Sequence, residues 1–274
     1  MNFEPTPVCD IREIEDKTKD SRWIFRGQRK TFWPLVTSLE RVCVAFEAEI
    51  SKHGAKIEQM LLREFQRRFH HYRSHVPADI LEWLSYMQHF GAPTRLLDWT
   101  YSFHVALYFA IEVPDPHGYA VWAIDQKWLQ ERSLEKIKAS HHYITEIESR
   151  ESIERFLSGV PMEQDSAWFG KLLFDLSAPR LVFCANPFRL NERLTLQKGL
   201  FLALGDANAS FEENLGALEG YKEHIRKFTV HPGKRLSLLR FLDRLNINCA
   251  TLFPGLEGFS RSLSVFHHRT SELS

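Results

Sequence analysis

Three stretches of this sequence place reactive or ligand-binding side chains beside neighbours able to hold them still. The first is "WIFRGQ", residues 23–28. Arg26 follows three apolar residues and precedes Gly27 and Gln28. A guanidinium at a strand end either closes a structural ion pair, with Asp98 as one partner, or meets a ligand. Its planar fork suits a phosphate or pyrophosphate, because it donates paired hydrogen bonds. Gly27 would let a ligand approach the backbone. The second stretch is "QHFGAPTRLLDWTYS", residues 88–102, which gathers Gln88, His89, Thr94, Arg95, Asp98 and Thr100 between apolar helical patterns. Polar groups held near a core must find partners or face a cleft. The plain alternative is a self-satisfied loop, with Arg95 paired to Asp98 and a threonine capping the next helix. The third is "NERLTLQKGLF", residues 191–201. There Gln197 either orients a ribose hydroxyl, since its amide both donates and accepts, or bonds its own backbone.

These stretches need elements to position them. "RWIFRGQ" reads as a short buried strand broken at Gly27. From about Ala45 to Tyr72 apolar residues recur at helical spacing, and "ADILEWLSYMQHF" predicts a second helix stopped by Gly91 and Pro93. Residues 91–102 are expected to be a loop. "FHVALYFAIE" predicts a third helix whose Ala106 and Ala110 let a backbone pack closely. Strands are expected at "YAVWAID" (119–125), "RLVFCANP", "LQKGLFLAL" and "HIRKFTVHP", then a helix "KRLSLLRFLDRLNI" and a final turn and helix. Residues 126–178 look mostly helical. Strands and helices mix without regular βαβ alternation, which favours the α+β class.

Composition and missing motifs remove several functions. The 35 basic and 35 acidic residues cancel, so bulk charge gives no nucleic-acid or acidic-membrane footprint. The four cysteines form no CxxC pair, which argues against structural zinc and for reduced, cytoplasmic thiols. The N-terminus has no secretory pattern, and no apolar run reaches the ~20 residues of a membrane span. GxxxxGK[ST], GxGxxG after a strand, and GxSxG are all absent. His71 and His75 stand at i and i+4, but a solvated helix end is the plainer reading than a metal site, as it is for His267 and His268. The basic run "REFQRRFHHYR" is either a solvated helix face or a nucleic-acid contact.

Together the motifs resemble the FRG domain, a bacterial and phage-associated domain named for its Phe-Arg-Gly triplet. The matching pieces are "WIFRGQ" with "WPLVTSLER", "MQHFGAPTRLLDWTYSFHVALYFA", "LQKGLFLA" and "INCATLFPGLEGF". They run from about residue 20 to 260, so a single domain over residues 1–274 is expected, with 126–178 as a helical insertion. The pattern is similar in turn to the ADP-ribosyltransferases. That resemblance implies a split β-sheet core with large helical additions, and NAD as substrate. It implies that Arg26, Asp98 and Gln197 serve catalysis, Arg26 holding the pyrophosphate or ribose. Gly27, Gln28, Arg95, Trp99, Thr100 and Ser102 would join Arg26 around NAD. Trp99 and Phe25 are candidates for stacking on nicotinamide or adenine.

One departure bears on the chemistry. Cleaving the nicotinamide–ribose bond passes through an oxocarbenium-like centre, which a carboxylate stabilises. Gln197 stands where that family carries a catalytic glutamate and brings no charge. Either the enzyme is slower for it, or charge comes from Asp98, Glu192, Glu212 or Glu213. The resemblance implies an NAD-using effector, an ADP-ribosyltransferase or NAD glycohydrolase, acting as a toxin or in anti-phage defence on a protein or nucleic-acid target. The alternative is a non-catalytic module that binds a nucleotide or nucleic acid.

Overall fold

The computed structural model describes residues 6–7, 11–19, 23–73, 76–140, 153, 170, 172–174 and 178–270. Among these, seven strands join in one open sheet: β1 (Thr6–Pro7), β2 (Trp23–Gln28), β3 (Leu96–Thr100), β4 (Tyr119–Asp125), β5 (Val182–Ala185), β6 (Gly199–Leu204) and β7 (Ile225–Val230). Their order is β1-β7-β4-β2-β3-β6-β5. Neighbours run antiparallel except β1 beside β7. The helices are α1 (Ile11–Thr18), α2 (Ser38–Ala45), α3 (Ile50–Phe69), α4 (Ile80–His89), α5 (Phe103–Ile111), α6 (Gln126–Ala139), α7 (Glu192–Leu196), α8 (Phe211–Gly216), α9 (Arg235–Arg244), α10 (Cys249–Leu252) and α11 (Leu256–Thr270). The architecture is α+β.

Two sequence expectations change. Residues 91–102 are not all loop, because β3 lies inside them and takes a central place in the sheet. Its exposed Asp98 breaks the apolar pattern that would have marked a strand, and pairing with β6 supplies what local pattern does not. The long helix starts at Ile50, after a separate α2 whose first turn is closed by a Thr37–Glu40 capping box. Helix α6 bears out part of the helical reading of 126–178, and most of the rest lies outside the described residues.

The sheet nevertheless has a weak seam. β2 pairs with β4 from Trp23↔Asp125 through Gln28↔Ala120. β3 pairs with β6 from Leu96↔Ala203 through Thr100↔Gly199. Between β2 and β3 the register is Phe25↔Thr100 alone. Past that point the strands part.

Both faces of the sheet are covered. Along β4, Trp122 and Ile124 join one apolar cluster, while Tyr119, Val121 and Ala123 join the other. The second cluster is built on α5, where only His104 and Phe109 escape full burial. Ser102 caps this helix by accepting from the Val105 amide.

Gly27 explains how close α5 lies. A Cβ at Gly27 would sit 2.0 Å from the Ala106 carbonyl oxygen and 2.6 Å from the Ala110 amide nitrogen. The glycine therefore admits a helix backbone, with the alanine pair opposite it. Gly27→Ala should destabilise the fold by roughly 3 kcal/mol or more, the upper end of overpacking costs. Gly91, at φ +81 with open space around its absent Cβ, serves as a control. Gly91→Ala should cost only about 1 kcal/mol of backbone strain. Urea midpoints of the two variants measure the difference.

Candidate functional site

The seam opens into a cleft of about 650 Å³. Its walls include Arg26, Gly27 and Gln28 from β2, Asp98, Trp99 and Thr100 from β3, and Gln197 after α7. The three residues expected to serve catalysis, from three distant segments, therefore line one cavity.

Arg26 bridges the gap where strand pairing fails. Its Nη1 donates to the Asp98 backbone carbonyl at 2.6 Å, and its buried Nε has no partner. Burial lowers the Arg26 pKa, the Asp98 carboxylate raises it, and Arg41 lowers it further. A guanidinium that has lost water and gained a like charge is stabilised by an incoming anion. The buried indole Nε1 of Trp99 also has no partner.

The Asp98 carboxylate is exposed and held from the side. Gln88 Nε2 donates to Asp98 Oδ2 at 2.9 Å, while Gln88 Oε1 accepts from the Thr94 hydroxyl at 2.7 Å. The polar residues of the second motif thus aim one carboxylate at the cleft. Gln197 is less free. Its Nε2 donates to the Leu252 carbonyl at 3.0 Å, and its backbone carbonyl accepts from the Thr100 hydroxyl at 2.7 Å. The same Thr100 oxygen accepts from the Ser102 amide. Gln28 is fully engaged, donating to the Pro34 carbonyl and accepting from Trp122 Nε1.

Arg95 is displaced from the expected ligand set. It is wholly buried, ion-paired with Glu58 of α3, and donates to the Gly205 carbonyl. Glu58 also accepts from the Arg95 amide at 2.8 Å. Neither Asp98 nor a ligand can reach it, because α3 covers it from a distance of 37 residues in sequence. Ser102 serves the cap of α5 and is absent from the cleft wall.

Further residues complete the site: Arg41, Trp33 and Glu112 escaped the sequence reading, and Arg193 stood beside Gln197 in the third stretch with no role given to it. With Arg26 and Arg29 they give the cleft four guanidinium groups against the carboxylates of Asp98 and Glu112. Arg193 lies over the Phe253 ring at 4.8 Å, and Arg41 donates to the Val36 carbonyl. Burial raises the Glu112 pKa, while Arg261 and Arg193 pull it back. Of the other carboxylates considered for charge, Glu213 closes the cap of α8 with Ser210. Glu192 and Glu212 are not in the cleft wall. A glutamate directly after nine apolar-rich helical residues was the one local signal for Glu112.

The FRG domain model matches residues 21–118. This part of the chain is an FRG domain. The match takes in β2, β3, α5 and the Gly27–Ala106 contact, and it ends before the arm carrying Arg193 and Gln197. No curated protein and no solved structure matches the chain. Within the FRG domain, His71 lies past the end of α3, and His75 lies outside the described residues. Among the described residues no group of side chains could hold a metal, and no helix is long and apolar enough to cross a membrane. The cysteines Cys43, Cys184 and Cys249 are buried free thiols.

The Arg95–Glu58 pair should behave as internal structure. Glu58→Ala strands a buried guanidinium and should cost about 3–5 kcal/mol. The double variant Glu58→Leu/Arg95→Met should recover much of that loss. Denaturant titration of the single and double variants checks both.

Proposed function

We propose that the cleft binds a dinucleotide and that the chain uses NAD as an ADP-ribosyltransferase-like enzyme. The observation carrying this reading is the convergence of Arg26, Asp98 and Gln197 on one arginine-rich cavity at the seam. The volume, about 650 Å³, suits a ligand of that class. Guanidinium groups recognise a pyrophosphate through paired, charge-assisted hydrogen bonds. Arg26 is the strongest candidate, since Asp98 offsets its desolvation only in part and an incoming anion would offset it further.

In this reading the C1–N bond between ribose and nicotinamide breaks, and the bonding pair leaves with nicotinamide. The ribose carbon becomes electron-poor, and an acceptor oxygen or nitrogen then attacks it and gives up its proton. Asp98 is the exposed carboxylate able to face that carbon. Glu112, also in the cleft wall, is the second source of negative charge and can accept the acceptor's proton. Together they supply what Gln197 lacks. The Gln197 amide nitrogen is committed to Leu252, which leaves its oxygen to accept from a ribose hydroxyl. A purely nucleotide-binding module would use the same arginines without the carboxylates.

Purified protein with NAD should release nicotinamide. Arg26→Lys should lower kcat/KM roughly 10- to 100-fold, the worth of a charge-assisted hydrogen bond pair. Asp98→Asn should lower kcat about 100- to 1,000-fold with little change in KM, as for loss of a transition-state charge. Tight NAD binding with no nicotinamide release by the wild type leaves the binding module as the surviving reading.

Glu112 separates catalysis from folding. Its raised pKa means that its ionisation opposes folding: the stability it contributes is intact below the ordinary carboxylate range and declines as pH rises through the folded value. Glu112→Gln should therefore keep or raise stability at pH 8. The rate should rise with pH through that raised pKa in the wild type, and this limb should vanish in Glu112→Gln. A loss of activity accompanied by a loss of stability at pH 8 would contradict the assignment.

A further inference from the structure

A tight turn after β2 carries large aromatic rings into water. Phe32 is 61% exposed and Trp33 is 38% exposed. Their cations sit on the same turn. Lys30 Nζ lies 5.6 Å from the Phe32 ring centre and 5.4 Å from that of Trp33, and the Arg29 guanidinium lies 5.2 Å from Trp33. The turn is also anchored. The Thr31 amide donates to the Gly118 carbonyl at 3.2 Å and its hydroxyl to the His117 carbonyl at 3.2 Å. The Phe32 ring meets the His117 ring edge-on at 5.7 Å. Arg29 reaches Asp115, whose side chain is itself buried.

A rigid turn that keeps two rings exposed forgoes apolar burial of both. Such rings, interleaved with cations, form a stacking surface with charges for a phosphate backbone. Trp33 and Arg29 also line the cleft, so the surface runs into the mouth of the site, where Arg41 adds a further cation. We propose that this turn, residues 29–33, is a docking platform for single-stranded nucleic acid. A base stacks on Phe32 or Trp33, and the backbone phosphates meet Lys30, Arg29 and Arg41. Flat faces and a row of anions are the features these side chains recognise together. Neither is offered by an apolar protein surface. The platform extends the nucleotide reading of the cleft by naming the class of macromolecular target. Lys30 and Phe32 lie outside the cleft wall, so their contacts differ from those that would hold NAD.

Fluorescence anisotropy with labelled single-stranded 12-nucleotide RNA and DNA, in the absence of NAD, tests this separately from catalysis. The wild type should bind at least one of them, with affinity falling as salt rises by about 0.7 log unit per log unit of salt for each phosphate contacted. Phe32→Ala, at an exposed position, should weaken binding about 5- to 100-fold, the range for loss of one base stack. Lys30→Ala should reduce the salt slope. Duplexes of the same sequence should bind more weakly. The proposal is overturned if neither oligonucleotide binds at 50 mM salt, or if Phe32→Ala and Lys30→Ala both bind as the wild type does. It is equally overturned if the turn binds anionic phosphatidylserine vesicles and the oligonucleotides do not compete. Oligonucleotide binding without nicotinamide release would retain the platform and reject the enzyme.

Discussion

The arrangement depends on a missing set of backbone hydrogen bonds. β2 and β3 are neighbours in the sheet, yet they register only at Phe25↔Thr100. Each strand is fully paired on its other side, β2 with β4 and β3 with β6. The sheet therefore holds together while its centre opens. Arg26 crosses the opening to the Asp98 carbonyl. One side chain does there what a strand ladder does elsewhere, and it leaves part of its guanidinium without a partner. An unpaired donor beside a desolvated charge is stabilised by whatever anion enters.

The rest of the domain keeps that seam in place. On one side α5 presses its Ala106–Ala110 backbone onto Gly27, which seats β2 against the helix. On the other, Arg95 and Glu58 tie the start of β3 to α3 and to the end of β6 through fully buried polar contacts. Gln88 and Thr94 then fix the Asp98 side chain. The three residues of the Phe-Arg-Gly triplet divide the work. Phe25 packs edge-on against Phe103 at 5.7 Å, Gly27 admits the helix, and Arg26 brings the charge to the opening.

Much of this was legible in the chain. β2, α4, α5, β4, β6 and β7 follow from runs of bulky apolar residues bounded by Gly, Pro or a capping side chain. The small pair Ala106 and Ala110 announced a close backbone contact, though not that Gly27 was the surface it met. β3 was hidden because Asp98 interrupts its pattern, and its pairing is supplied by β6 about a hundred residues later. Arg95 misled for the same reason: its partner, Glu58, is distant in sequence and sits on another element. Ser102 was read as a ligand contact, whereas helix capping claims it, and Gly27 both lines the cleft and admits α5. Arg41, Arg193, Trp33 and Glu112 come from separate elements, and only the fold brings them to one wall. A net charge of zero concealed a cleft with four arginines.

The central claim is that the parted seam is a binding site for a pyrophosphate-bearing ligand. Hydrogen exchange with and without saturating ADP-ribose tests it most directly, since unpaired amides of β2 and β3 should exchange readily when the cleft is free. The account predicts slower exchange in residues 25–36, 96–100 and 193–198 when ADP-ribose is present, and loss of that protection in Arg26→Ala. Unchanged exchange across those three segments, or protection confined to another part of the molecule, would contradict it.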